Sequence, residues 1–136
     1  MAEQKPMPNA FVRAVLVAGG IFYAVSGAAL FFAPQWFYDN IGTYPPFNRH
    51  YTGDVGAFLL PMGIAMLIAS RNPAQHRLLF GFAVAGSVLH ALNHMLDELV
   101  LSPSTTQLLT GSIPLIIFAV ILLAAYLAQR PRRTMS

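Results

Sequence analysis

The residues best suited to chemistry in this chain lie close together, at positions 90–98, in the order His-Ala-Leu-Asn-His-Met-Leu-Asp-Glu. His90, His94 and Asp97 are spaced i, i+4 and i+7, and at about 100° per residue these positions share one stripe of an α-helix. An ionisable side chain is costly at membrane depth, so it usually faces a bundle interior or a cavity. We therefore expect this stripe to form a site rather than a lipid-facing surface.

The rest of the chain has the composition of a membrane protein. Of its 136 residues, 56% are hydrophobic and 10% are charged, and the mean hydropathy is +0.57. A soluble domain carries about a quarter charged residues. Four apolar runs cover about 11–33, 51–70, 78–96 and 108–127, and each can cross a hydrocarbon core of about 30 Å. We predict one membrane domain over residues 1–136, an all-α, integral-membrane four-helix antiparallel bundle.

The basic residues predict the orientation of this bundle. Seven of the eight fall on one side of a four-span topology: Lys5, Arg13, Arg71, Arg77, Arg130, Arg132 and Arg133. Only Arg49 falls on the other side. The positive-inside rule then places the N and C termini in the cytoplasm of a multi-pass protein of the cell inner (plasma) membrane.

Two groups of polar residues are expected at the same end of the bundle. The second span enters from outside, so His50 and Asp54 lie in its first turns, whereas the third span leaves with His90 and His94 in its last turns. The short 71–77 connection indicates that these two spans are neighbours. We therefore expect an outward-facing His/Asp site between spans two and three.

A transition metal is one ligand that this site could hold. Two imidazoles at i and i+4 can chelate a metal, and carboxylates can complete its coordination. The candidate metal ligands are His90, His94, Asp54 and Asp97. A haem would need only one or two axial histidines, such as His50 or His90. It is less favoured, because the histidines gather at one end of the spans.

A small lipophilic molecule is the other ligand that this site could hold. A His–Asp pair can act as general base and orienter, which makes His90, His94 and Asp54 the candidate catalytic residues. His50 and Asn93 are the candidate cofactor-binding residues, with Asn93 as a hydrogen-bond donor behind the ligands. Whether the chain is an enzyme stays open at this point.

A non-catalytic role is the competing interpretation. In an accessory subunit of a membrane complex, the same His and Asp residues would form a buried hydrogen-bond network. The expected partners are the lipid bilayer and, through faces of small residues, a second copy or a larger membrane complex. Nucleic acid is not expected, because the basic residues flank the spans. The chain has no cysteine, which excludes thiol chemistry.

Two polar stretches carry a resemblance to a known group. They are Arg-His-Tyr-x-x-Asp-Val-Gly-Ala-Phe at Arg49–Phe58 and His-Ala-Leu-Asn-His at His90–His94. With its length and four spans, the chain is similar over residues 11–127 to small bacterial four-helix membrane proteins of the DoxX-like group. The resemblance implies an accessory membrane subunit, a quinone-linked oxidoreductase partner or a protein of unknown role. It transfers no catalytic residue.

Overall fold

The computed structural model describes residues 10–101 and 103–129, and this part of the chain is all-helical. Its α-helices are α1 (Ala10–Phe32), α2 (Pro34–Asn40), α3 (Arg49–Ala69), α4 (Arg77–Leu96), α5 (Thr105–Gln107) and α6 (Ile113–Ala128). Two π-helical segments interrupt the α pattern. The first π turn (Asp97–Leu101) continues α4, and the second π turn (Leu108–Ser112) connects α5 to α6.

Four of these helical stretches are long and apolar enough to cross a membrane. They are Ala10–Phe32, Arg49–Ala69, Arg77–Leu101 and Thr105–Ala128. The four predicted spans are thus confirmed as helices, with boundaries that differ by a few residues. The third differs most, because it runs through the first π turn. Large apolar side chains such as Phe58 and Phe82 point outward, 79% and 69% exposed. Lipid, unlike water, accommodates such a surface.

The closest helix pair is α1 and α3, and glycines make its close approach possible. A Cβ atom added at Gly27 would meet the backbone of Leu60, and one added at Gly63 would meet the backbone of Ala24. Lipid gives no hydrophobic drive for helix association, so close backbone packing supplies the attraction instead. The α1–α3 pair therefore depends on the absence of side chains at these glycines.

The core lies where this pair meets α4 and α6. Its largest fully buried side chains include Leu16, Tyr23, Met66, Phe80 and Leu122. A buried hydrogen bond of 2.6 Å joins the Tyr23 hydroxyl on α1 to Ser87 Oγ on α4. Ser87 itself donates to the carbonyl of Ala83 over 2.7 Å, so Tyr23 is the donor to Ser87. This bond fixes α4 against α1 at the centre of the bundle.

At the end of the bundle where α4 begins, Arg77 holds the end of α6. Its Nη1 donates to the carbonyl and the side-chain oxygen of Gln129, over 3.1 and 3.2 Å. Its guanidinium carbon lies 4.1 Å from the ring centroid of Tyr126. The hydrogen bonds of such an arginine satisfy carbonyl oxygens that have no partner at a helix end. Its contact with the aromatic ring adds a cation–π interaction. Helices α4 and α6 are therefore tied at this end by one side chain.

At the opposite end, a well-defined start of α3 anchors the α2–α3 connection. The Asn48 side chain accepts hydrogen bonds from the backbone amides of His50 and Tyr51, over 3.0 and 3.3 Å. Asparagine is among the best residues at this capping position, because it satisfies amides that have no partner inside the helix. The cap fixes where α3 begins and so places Arg49 at the edge of the span.

A pair of glycine substitutions in α3 tests the packing. We expect Gly63→Ala to destabilise the protein, by about 1–3 kcal/mol for an overpacked site. Gly53→Ala is the matched control, because nothing lies within 4 Å of a Cβ added there. Alanine is also the better helix former, by about 1 kcal/mol. Reversible unfolding in mixed detergent micelles measures both changes. Equal effects of the two substitutions would contradict the close approach of α1 and α3.

Candidate functional site

The polar site of this protein is centred on a carboxyl group buried at the end of the third span. Glu98 is only 2% exposed. The Tyr44 hydroxyl donates to its Oε1 over 2.8 Å, and the Ser112 hydroxyl donates to its Oε2. His94 Nδ1 lies 3.4 Å from Oε1. A buried carboxyl group is tolerated where its oxygens are satisfied in this way.

The three partners reach Glu98 from three different parts of the chain. Tyr44 comes from the connection between α2 and α3, His94 from the last turn of α4, and Ser112 from the end of the second π turn. The two π turns contact each other, and each supplies one member of the network, Glu98 and Ser112. Single π turns inside helices occur frequently at functional sites.

Gly111 provides the space for this arrangement. A Cβ atom at Gly111 would lie 3.1 Å from Glu98 Oε1 and 3.8 Å from His94 Nδ1. Any side chain there would crowd the carboxyl group and its imidazole partner. The second π turn therefore contributes both the hydroxyl donor of Ser112 and, at Gly111, the space that the Glu98 carboxyl group needs.

The hydrogen bonds fix the tautomer that we assign to His94. The Tyr44 hydroxyl has one hydrogen, and it goes to Glu98. The contact between His94 and Glu98 thus needs a hydrogen on Nδ1 of the imidazole. Neutral His94 then keeps its lone pair on Nε2, on the opposite edge of the ring. An imidazole oriented this way by a carboxyl group can accept a hydrogen bond, take up a proton or bind a metal at Nε2.

His90 lies beside His94 on the same helix. The two ring centroids are 4.9 Å apart, with an angle of 44° between the ring planes. No side chain in the described part of the chain hydrogen-bonds to His90, and its ring nitrogens are not fully enclosed. His90 is thus a half-buried imidazole, within a helix long enough to cross a membrane, that makes no hydrogen bond to the described residues.

The second polar pair, His50 and Asp54, is separate from the network around Glu98. His50 Nε2 is 3.5 Å from Asp54 Oδ2, and the two side chains are 79% and 57% exposed. Within residues 10–101 and 103–129, no hydrogen bond or ion pair joins this pair to His90 or His94. The structure thus brings His90 and His94 together, and brings His50 and Asp54 together, as two separate groups.

Two further predicted residues pair with each other. Asn93 Nδ2 lies 3.5 Å from Asp97 Oδ2, one helical turn away. Asn93 is exposed and Asp97 half-buried. In the described chain neither hydrogen-bonds to His90 or His94, and the carboxyl group that contacts His94 is that of Glu98.

The residues that sequence reasoning missed are Glu98, Tyr44 and Ser112. Glu98 was readable as a partner of His94 from its i+4 spacing, whereas the spacing from His90 favours Asp97. Tyr44 and Ser112 gave no usable signal. One lies in an aromatic-rich connection and the other in an apolar run.

The ligand set for a metal is incomplete in what the structure describes. No three His, Asp or Glu side chains of residues 10–101 and 103–129 are grouped so as to hold a metal ion. His90 and His94 supply two imidazoles, while both oxygens of Glu98 are engaged by protein donors. A metal at this pair would need a further ligand from another source, and metal binding stays a prediction.

The fold and the site together describe a class of protein. The chain is all-helical, consistent with a multi-pass membrane protein, and carries a carboxyl–imidazole network near one end of its third span. Comparison with known protein families, curated proteins and solved structures gives no match.

Tyr44 offers a spectroscopic test of this network. Burial of its hydroxyl, its hydrogen bond to Glu98 and the charges of Glu98 and Asp97 raise the pKa of Tyr44 to about 12. We expect the tyrosinate absorbance of the wild type minus that of Tyr44→Phe to rise with a midpoint near this pKa. Tyr51→Phe is the control, because the Tyr51 hydroxyl makes no hydrogen bond in the described chain. A Tyr44 midpoint at about 10, the ordinary value, would show that Tyr44 does not contact Glu98.

The same raised pKa of Tyr44 predicts how stability depends on pH. An unfolded tyrosine loses its proton near pH 10, whereas folded Tyr44 keeps it up to a pKa of about 12. Between these values the folded state binds more protons, so the contribution of Tyr44 to stability is complete below pH 10 and falls as the pH rises. The unfolding free energy of Tyr44→Phe should lack this alkaline decrease. Identical pH profiles would contradict the docking of Tyr44.

The donor on the other carboxyl oxygen is tested by Ser112→Ala. Hydrogen bonds to charged groups contribute about 1.5–3 kcal/mol, and we expect a loss of this size in the free energy of unfolding. Thr110→Ala is the control, because that hydroxyl is exposed and donates to Thr106 of its own helix over 2.9 Å. Unfolding in mixed micelles compares the two variants. A loss for Ser112→Ala no larger than for Thr110→Ala would show that Ser112 does not support Glu98.

Proposed function

We propose that this chain is a small multi-pass protein of the plasma membrane that binds a small lipophilic ligand at His90 and His94. The observation that carries the proposal is a pair of adjacent imidazoles at membrane depth. One is held by a buried carboxyl group, and the other makes no hydrogen bond within the part of the chain that the structure describes. Polar groups at this depth usually serve a ligand, an ion or a proton.

The chemistry of the pair defines the class of ligand. His94 offers an acceptor at Nε2, and His90 can donate or accept. A molecule carrying a hydroxyl or carbonyl group on an apolar body matches both imidazoles and can enter from the lipid. A quinone or quinol is one such molecule. A benzoquinol is therefore a suitable probe of the site.

We further propose an antiparallel bundle with both termini in the cytoplasm and the site at the outer end. Two observations support this topology. Along α1 and α3 the contacts run in opposite chain directions, from Gly19 against Met66 to Gly56 against Phe31. The basic residues also gather on one side of the four spans, with Arg49 on the other.

An NMR titration tests the ligand site. The protein, in lipid nanodiscs and with labelled histidine side chains, is titrated with a short-tailed benzoquinol. We expect saturable shifts of the His90 and His94 imidazole signals and none at His50 or His76. Losing one hydrogen bond to the ligand should weaken binding about tenfold in His90→Ala. His50→Ala is the control and should bind like the wild type.

Two results would overturn this proposal. Equal, unsaturable shifts of all four histidines would mean that the probe only partitions into the bilayer. No change of affinity in a folded His90→Ala protein would mean that the imidazole pair is not the binding site.

The accessory-subunit hypothesis has an observation of its own. Glu98 uses both carboxyl oxygens to join three segments of the chain, as a structural network would. That role predicts loss of folding, or of assembly with a partner, when His94 is replaced, without loss of a small ligand. Size-exclusion chromatography of His94→Ala beside the titration distinguishes the two functions. Membership of the DoxX-like group stays a proposal that rests on the two polar stretches.

A further inference from the structure

A groove of about 350 Å³ lies at the end of the bundle where α1 finishes and α3 begins. Its walls include Phe32 from the end of α1, Trp36 from α2, Phe47 from the α2–α3 connection and Arg49 from the start of α3. Most of the lining is apolar, and Arg49 is its only charged residue. The groove is separate from the His90–His94 site and does not share a lining residue with it.

Arg49 has no charged or hydrogen-bonding partner for its side chain among the described residues. The carboxyl groups of α2 and of the first turns of α3 contact other side chains. Asp39 accepts from Gln35 over 2.9 Å, and Asp54 pairs with His50.

Arg49 is exposed, and its position in the helix does not itself favour a positive charge. It is the first residue of α3, where a positive side chain meets the positive end of the helix dipole and is unfavourable. The same end of the bundle carries no second arginine or lysine among the described residues. An anion beside Arg49 would satisfy both the side chain and this end of the helix.

The place of the groove along the spans indicates the source of that anion. Both α1 and α3 are long enough to cross a membrane, so their joined ends lie at the boundary between hydrocarbon and head groups. Phe32 and Trp36 are exposed there, and aromatic rings at this level are typical of membrane proteins. An acyl chain could follow the apolar wall while its head group stays at Arg49.

We propose that this groove binds an anionic phospholipid, with the phosphate at the Arg49 guanidinium and the start of an acyl chain against Phe32 and Trp36. Arginine suits this role because its planar donors match phosphate oxygens in pairs. The inference is independent of the ligand site proposed above. It concerns the binding of a lipid from one leaflet at this end of the bundle.

Trp36 makes the proposal measurable. It is the only tryptophan of the chain, and it lines the groove. The purified full-length protein in neutral detergent is titrated with short-chain phosphatidylglycerol, and Trp36 emission is followed. We expect a saturable change that weakens as salt is raised, because the interaction is between exposed charges.

Matched variants identify the phosphate contact. Arg49→Gln should bind phosphatidylglycerol about tenfold more weakly, and Arg49→Lys should lie between it and the wild type, because charge is kept but paired donors are lost. Arg71→Gln, which removes an exposed arginine between α3 and α4, should bind like the wild type. Circular dichroism and size-exclusion chromatography verify that each variant is folded.

Four results would overturn the proposal. They are an equal response to phosphatidylcholine, the same saturable response to inorganic phosphate alone, tighter binding of a fatty acid than of phosphatidylglycerol, and unchanged affinity in a folded Arg49→Gln protein. The second would show a free-anion site and the third a carboxylate site. If Arg49→Gln does not fold, the order of affinities in Arg49→Lys and the wild type decides.

Discussion

The buried carboxyl group of Glu98 joins three separate segments of the chain. Away from water, an unsatisfied carboxyl oxygen costs several kcal/mol, so the chain must bring donors to it. One comes from the α2–α3 connection and another from the second π turn, and an imidazole of α4 completes the set. These donors can converge only if the last turn of the third span, the second π turn of the fourth and the connection between the first two spans meet at one end.

The rest of the bundle makes this convergence possible. Glycines let α1 and α3 pack backbone to backbone, which places the α2–α3 connection beside the site. Arg77 fixes α4 to α6 at the far end, and the Tyr23–Ser87 hydrogen bond fixes α4 to α1 in the middle. Each link joins different helices at a different depth. The position of Tyr44 beside His94, with ring centroids 5.6 Å apart and ring planes at 87°, therefore depends on packing at several depths of the bundle.

Much of the fold and part of the site could be predicted from the sequence. The other features of the site are ones that regular α-helical periodicity does not predict. Hydropathy located four spanning helices, because length and apolar composition suffice for that. The i, i+4 spacing placed His90 and His94 together. The same reasoning offered Asp97 as one of two candidate carboxylates, beside Asp54, because an uninterrupted α-helix puts Asp97 on their stripe. The first π turn starts at Asp97, its turns are wider than those of an α-helix, and Glu98 is the residue that is buried. No local pattern announces a π turn, or a loop tyrosine that docks from 54 residues away.

Polar groups of this site that have hydrogen-bond partners can be explained by the fold. Polar groups that have none in the described chain need another explanation. Both oxygens of Glu98 have donors, so this carboxyl group can be explained by the fold alone. His90 cannot be explained in this way, because its ring lies at membrane depth and contributes no hydrogen bond to the described chain. The His50–Asp54 pair is exposed, where an imidazole costs little and needs no purpose. An imidazole that is half-buried, adjacent to a carboxyl-oriented second imidazole and unused by the fold is the group for which a ligand is the simplest physical explanation.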